Sequence, residues 1–148
     1  MIINILGMAC PKLKKICKSA AIISLREMNT PCVELTIKFV SLAEIKKLNR
    51  EHRNIDKVTD VLSFPATDIS AGEPVAGGDG TYLGDMAICL KRAKQQAKEY
   101  KNTFVAEVQK LVIHSVLHLL GYDHIQDEDF AIMSKKEEQI ARSLHIGG

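Results

Sequence analysis

The hydrophobic positions along the chain follow two periods, and each period predicts one kind of element. Apolar and polar residues alternate from Val33 to Phe39, which is typical of a strand with one buried face. From Pro11 the apolar residues recur three or four positions apart, which predicts an amphipathic helix to about Met28. Similar patterns predict further strands at 2–6, 58–64 and 83–90, and helices at 42–52, at 91–101, from a cap at Asn102 or Thr103 to Leu120, and from a cap at Asp127 to about Leu144.

The order of these elements predicts the fold class. Strand, helix, strand, helix, two strands and then helices indicate an α+β fold, in which helices cover one mixed β-sheet, and we expect a single domain over residues 1–148. The run from Val112 to Leu120 is apolar nearly all round, so its helix should be buried at the centre of the domain. The glycine-rich segment 65–82 should be a mobile loop or a loose hairpin.

Composition and cysteine spacing add few constraints. The chain has 148 residues, of which 46% are hydrophobic and 26% charged, with a net charge of +2, as in ordinary globular proteins. No apolar stretch approaches the roughly 20 residues of a membrane span, so we expect a soluble protein without a membrane partner. The cysteines form no C-x-x-C pair, which predicts buried free thiols and a cytoplasmic location. They are Cys10, Cys17, Cys32 and Cys89.

The most specific pattern in the chain is formed by His114, His118 and His124. The first two lie one helical turn apart, so they project from the same helix face about 6 Å apart. Gly121 lets the chain leave the helix through a left-handed turn, which can bring His124 back to the same point. Three neutral imidazoles fit a zinc ion with a fourth position open, as in catalytic zinc sites. The sequence therefore predicts one Zn²⁺ on a central buried helix.

Ser115 decides between two kinds of zinc enzyme. The histidine spacing matches the metalloprotease pattern H-E-x-x-H-x-x-G-x-x-H at every position except this one. The glutamate of that pattern takes a proton during peptide hydrolysis, and a serine cannot do so near neutral pH. The sequence disfavours peptide hydrolysis by the usual route, although a zinc metallopeptidase-like hydrolase stays an alternative.

Three further blocks accompany the histidine motif. They are Asn49, Arg53 and Asp56, the run 59–65 (Thr-Asp-Val-Leu-Ser-Phe-Pro), and the strand 83–88 (Leu-Gly-Asp-Met-Ala-Ile). Together with residues 114–124 they resemble the YbeY family of bacterial rRNA-maturation metalloproteins. The family commonly has glycine after its first metal histidine, where this chain has Ser115; both residues are small and neither can act as a base.

The resemblance implies a single-strand-specific endoribonuclease with one zinc, which acts in rRNA processing, notably at the 3′ end of the small-subunit rRNA, and in ribosome quality control. It implies that His114, His118 and His124 are the metal ligands and that Arg53 is needed for activity. The implied partners are single-stranded RNA, the ribosome or its small subunit, and, as an open question, a ribosomal protein or an assembly GTPase. A non-catalytic ribosome-associated factor with a structural zinc stays a further alternative.

Chemistry gives Arg53 and Asp123 candidate catalytic roles. A guanidinium can hold two non-bridging oxygens of a phosphodiester as negative charge develops, while the alternative for Arg53 is a salt bridge to Asp56 or Asp60. Asp123 neighbours a predicted ligand and either orients a histidine or acts as a base. Asp60 and Asp85 are further candidates if the fold brings their strands to the site. The nucleophile, water or the RNA 2′-hydroxyl, stays open.

Two aromatic side chains near these motifs have alternative roles. His52 precedes Arg53 in a charged stretch, and we expect it at the surface, where it could meet a phosphate. Tyr122 lies inside the histidine motif, and we expect it to pack beneath the metal loop rather than to stack a base.

Overall fold

The computed structural model describes residues 1–75, 77–123 and 125–146. Within these residues the chain forms four strands and five helices in the predicted order. They are β1 (Ile2–Leu6), α1 (Pro11–Glu27), β2 (Glu34–Phe39), α2 (Leu42–Arg53), β3 (Val61–Pro65), β4 (Tyr82–Ile88), α3 (Leu90–Glu99), α4 (Phe104–Leu119) and α5 (Asp127–Ser143).

The four strands form one mixed sheet in the order β1-β2-β4-β3. β1, β2 and β4 run parallel, and β3 pairs antiparallel with β4. The predicted α+β fold with a mixed sheet is confirmed. Because β3 lies at the edge of the sheet, the residues on and before it can form one wall of a surface cleft.

α4 is the central helix, as its apolar sequence predicted. It contacts α1, α3 and α5 as well as β3 and β4, and Val112, Val116 and Leu117 on it are fully buried. Its start is fixed by Thr103, whose hydroxyl accepts a hydrogen bond from the Ala106 amide at 3.1 Å. Side chains on this helix are therefore held on a rigid element.

The segment 66–81 joins two antiparallel strands, so it is the long connection of a β-hairpin. Its last part is attached to the loop before β2, because the Gly80 amide donates to the Cys32 carbonyl at 2.6 Å and the Cys32 amide donates to the Asp79 carboxylate at 2.9 Å. Of the two predicted forms, the hairpin is the one observed.

Several element boundaries differ from the prediction; for example, β4 spans Tyr82–Ile88 instead of residues 83–90, and α3 already begins at Leu90. β3 begins at Val61 instead of residue 58, because Val61 pairs with Ile88, where β4 ends. Asp127 was predicted as the cap of α5, but Gln126 is the cap, without a side-chain hydrogen bond. Asp127 lies in the first turn instead, where its charge suits the helix dipole.

The prediction that the four cysteines are buried is wrong for two of them. Cys17 and Cys89 are buried, whereas Cys10 and Cys32 are exposed because they lie in the connections that precede α1 and β2. All four are free thiols. In the described part of the chain, no helix is long and apolar enough to cross a lipid bilayer.

Candidate active site

The end of α4 forms a hydrogen-bonded turn around Gly121. The Gly121 amide donates to the His118 carbonyl and the Tyr122 amide to the Leu117 carbonyl, each at 3.0 Å, which is the Schellman arrangement of a helix end. Gly121 has the positive φ of 94° that its sequence position predicted. The carbonyl of Ile69 lies against its Cα, so glycine is also required for space.

This turn fixes the orientation of His118. The Nδ1 atom of His118 lies 2.9 Å from the Tyr122 carbonyl oxygen. A carbonyl accepts hydrogen bonds and cannot donate them, so Nδ1 carries the proton. In the neutral ring, the lone pair is therefore on Nε2, which is the atom that can bind a metal ion.

His114 is oriented by a second helix. Its Nδ1 lies 3.2 Å from a carboxylate oxygen of Glu137 on α5, and a carboxylate likewise accepts the Nδ1 proton. The Nε2 atoms of His114 and His118 then face each other at 3.0 Å, with the two rings at 83°. Two imidazole ligands of one tetrahedral zinc ion would lie about 3.3 Å apart at bond lengths near 2.0 Å. The pair therefore fits a shared cation.

The third predicted ligand, His124, lies outside the described residues, so its role stays a prediction. Among the residues that are described, no group of three or more histidines, cysteines or carboxylates lies close enough to hold a metal ion. The fit to a metal consequently rests on the spacing and tautomers of the histidine pair.

A cleft of about 860 Å³ lies above this pair. Arg53 lines it from the end of α2, Asp60 from the start of β3, and Asp123 from the turn after α4. The structure therefore brings the predicted catalytic candidates Arg53 and Asp123 into one cleft with the two histidines. Among the described residues, the polar and aromatic side chains that line the cleft are His52, Arg53, Thr59, Asp60, Ser63, Thr67, Asp68, Lys110, His114, His118, Tyr122, Asp123 and Glu137.

Asp85 does not belong to this cleft. Its carboxylate is exposed and accepts a hydrogen bond from the Tyr82 hydroxyl, and it is absent from the lining among the described residues. The suggestion that β4 brings Asp85 to the site is therefore wrong. On a strand, neighbouring residues point to opposite faces, and Asp85 lies on the opposite face from the buried Met86.

Arg53 is the last residue of α2 and is exposed. The salt bridge to Asp56 that the sequence allowed is formed by Arg50, at 3.8 Å, and no ion pair of Arg53 occurs within the described ranges. The helix ends at Asn54, which has a left-handed φ of 60°. The buried Asn49 side chain then donates to the Lys57 carbonyl at 2.9 Å, which fixes the loop beyond Arg53.

Ser115 is not among the described residues that line the cleft. It is fully buried, and its hydroxyl lies 2.7 Å from that of Ser63 on β3. This hydrogen bond ties the central helix to the edge strand. The position that carries the base in metalloproteases is therefore used here for packing, in agreement with the argument from its chemistry.

Thr67, Asp68, Lys110 and Glu137 line the cleft but were not foreseen from the sequence. Lys110 lies one helical turn before His114, so the spacing 110, 114 and 118 was a usable signal for a cation on the same face. Glu137 has no such signal, because it lies 23 residues after His114 and reaches it only through the packing of α5 on α4.

Tyr122 has the packing role expected of it. Its side chain is 8% exposed and belongs to the main hydrophobic core. It lines the floor of the cleft beneath the histidine turn.

An α+β fold with a histidine-centred cleft is an arrangement that enzymes use. Comparison with known proteins identifies which kind. The family model described as endoribonuclease YbeY matches residues 7–145. An endoribonuclease YbeY of Finegoldia magna is 46% identical over 129 residues, covering 87% of this chain and 80% of that protein. One of Clostridium botulinum is 42% identical over 133 residues, covering 81% of this chain and 80% of that protein.

A solution structure of a Thermotoga maritima protein has a similar fold. It superimposes with a TM-score of 0.60 at 31% identity, covering 97% of this chain and 92% of that one. The chain therefore belongs to the endoribonuclease YbeY family and is a nuclease enzyme.

Proposed function

We propose that this chain is a single-strand-specific, metal-dependent endoribonuclease that acts in rRNA maturation. One observation carries the proposal: two histidine Nε2 atoms face each other at 3.0 Å in a cleft that Arg53 and Lys110 also line. With both rings protonated on Nδ1, as their Nδ1 partners favour, the two Nε2 lone pairs point at one place, and this arrangement favours a cation between them. Because four carboxylates also line the cleft, the charge that would attract a polyanionic substrate comes from Arg53 and Lys110 together with the bound cation.

His114 and His118 would hold the metal ion, which we propose to be Zn²⁺, with His124 as the predicted third ligand. When bound, such an ion supplies a Lewis acid that polarises an oxygen of the substrate phosphate. The Tyr122 carbonyl and Glu137 favour protonation of the two rings on Nδ1, so that Nε2 is the atom of each ring that would bind the metal ion.

Arg53 would bind the scissile phosphate. Its guanidinium is exposed and lines the cleft, and it forms no ion pair within the described residues, so no protein contact must break before it binds. Two parallel N–H donors match two non-bridging oxygens of a phosphodiester. This contact stabilises the charge that grows on those oxygens during cleavage.

Asp123 is the proposed second catalytic residue. It lies in the cleft lining directly after Tyr122, which places a carboxylate on the same side as the histidine pair. A carboxylate there can accept a proton from the attacking group or orient the neighbouring histidine. Asp60 has a structural role at the start of β3, because one of its oxygens accepts the Val61 amide and the Thr59 hydroxyl.

The cellular role follows from the family. The relatives that match most of this chain are named endoribonucleases, and the resemblance of the motifs implies single-stranded rRNA as substrate. We therefore propose the ribosome or its small subunit as partner, with a ribosomal protein or an assembly GTPase as a further one, and the cytoplasm as location.

Cleavage of single-stranded RNA by protein of known zinc content tests the proposal. The matched pair is Arg53→Ala and Arg50→Ala, because both residues lie on α2 but Arg50 pairs with Asp56 and is not part of the cleft. Arg53→Ala should retain zinc and lose about 100-fold or more in rate, while Arg50→Ala should stay within about twofold of the parent. Equal activity of both variants would contradict the role of Arg53.

His118→Ala separates a catalytic from a structural metal. A catalytic site predicts a variant that is folded by circular dichroism but lacks zinc and activity. A structural zinc predicts that the variant unfolds. A parallel digest of a peptide substrate tests the metallopeptidase alternative, for which zinc-dependent cleavage by the parent protein would be the supporting result.

A further inference from the structure

One aromatic ring at the cleft is packed on one side and exposed on the other. The imidazole of His52 lies against the ring of Phe64, with centroids 4.5 Å apart and planes at 57°. Phe64 packs against the small hydrophobic cluster formed by Ile45, Leu62, Ala87 and Cys89. The exposed His52 ring therefore rests on a fixed support, and little rotamer freedom is left to lose when a ligand binds.

The exposure of His52 sets it apart from the other rings of the cleft. Tyr122 is 8% exposed and belongs to the core, while His114 and His118 meet edge to face and are half-buried. In the described portion of the lining, His52 is the most exposed of the rings and so the one most accessible to a ligand.

Its position beside Arg53 indicates what that ligand is. Successive residues of a helix diverge by about 100°, so the side chains of His52 and Arg53 leave α2 in different directions while both line the cleft. A nucleotide also presents two distinct groups, a charged phosphate and a flat base. If Arg53 binds a phosphate, His52 is placed for a neighbouring base.

We propose that His52, supported by Phe64, is a stacking platform for one nucleobase of the RNA strand whose phosphate Arg53 binds. This inference rests on the proposed nuclease function and adds a base-binding subsite to it. Stacking on a ring needs no particular hydrogen-bonding edge, so the subsite accepts any base. It favours single strands, because the base must leave its helical neighbours to reach the ring.

The test asks whether the replacement of His52 removes the dependence of KM on one particular base of the RNA. KM for cleavage is measured on a set of short single-stranded RNAs, each lacking one base at a successive position, with the parent, His52→Ala and His52→Phe. Glu51→Ala is the matched control, because Glu51 is the exposed neighbour on α2 and is absent from the described cleft lining. Thermal unfolding of each variant is recorded alongside.

For the parent and Glu51→Ala, loss of the base at one position should raise KM about fivefold or more. For His52→Ala, KM for intact RNA should already be raised, and removal of that base should add nothing. His52→Phe should behave as the parent, since it keeps a ring. A purely structural role predicts a lower unfolding temperature without dependence on any base.

Two results would overturn the inference. If the parent cleaves RNA but no single base is coupled to His52, the platform is wrong and the nuclease function stands. If the parent neither binds nor cleaves single-stranded RNA, the proposed function fails and the subsite fails with it.

Discussion

An alanine at position 121 should destabilise the protein, because the space that a Cβ needs is already filled by backbone. A Cβ built on Gly121 would lie 2.8 Å from the carbonyl carbon of Ile69, closer still to its oxygen, and 3.0 Å from the Ala71 amide nitrogen. Backbone atoms cannot rotate aside as a side chain can. The connection 66–81 or the end of α4 must therefore move.

Two contributions determine how far Gly121→Ala lowers the free energy of unfolding. The φ of 94° at Gly121 is one that residues with a Cβ rarely adopt, which costs about 1–2 kcal/mol. Overpacking costs about 1–3 kcal/mol more. The free energy of unfolding should fall by about 2–5 kcal/mol, and each kcal/mol lowers the unfolding temperature by about 2–4 °C for a chain of this size.

Comparison with Gly72→Ala separates the cost of the steric clash from the cost of the positive φ. Gly72 has a φ of 81° in the same connection, but no atom of the described residues lies within 4 Å of the position that its Cβ would occupy. Denaturant unfolding of both variants in excess chelator excludes the contribution of bound metal. Gly121→Ala should also bind zinc more weakly, because the displaced turn carries the Tyr122 carbonyl that orients His118. Equal losses of stability in the two variants would refute the argument.

Three further outcomes are expected. Glu137→Gln should lower zinc affinity by about 10-fold or more in a chelator competition, whereas Glu138→Gln on the same helix should leave it unchanged. Ser115→Ala should lower the free energy of unfolding by about 1–3 kcal/mol, because it leaves the Ser63 hydroxyl without its partner, and the double alanine variant should recover part of that loss. Burial raises the pKa of Cys17 from 9.0 to about 12, so the unfolded chain loses this proton first and stability should fall between these pH values; Cys17→Ala should lack that component of the pH dependence.

Local patterns were enough to predict the elements and the central helix. The alternation from Val33 to Phe39 and the apolar surface of α4 depend on residues close in sequence, and both appear where they were expected. The helix end at Gly121 was predictable for the same reason, because the Schellman turn is closed by hydrogen bonds within six residues. Helical spacing alone likewise placed His114 and His118 on one face.

Contacts between distant segments were not predictable in this way. The choice of Arg50 over Arg53 as the partner of Asp56 depends on how α2 ends at Asn54. The exclusion of Asp85 depends on which face of the sheet each β4 residue occupies, and a shift by one residue would reverse it. The same applies to Glu137, whose contact with His114 spans 23 residues.

The two histidines of the site are consequently oriented by partners of different origin. The acceptor for His118 is a main-chain carbonyl four residues away, fixed by the turn at the end of its own helix. The acceptor for His114 is a carboxylate whose side chain is 33% exposed and whose position depends on the packing of α5 against α4. A carbonyl cannot change its charge, whereas a carboxylate can be protonated or displaced. Loss of α5 packing would therefore release His114 while His118 stays oriented, so the proposed cation site depends on α5 as well as on the helix that carries the two histidines.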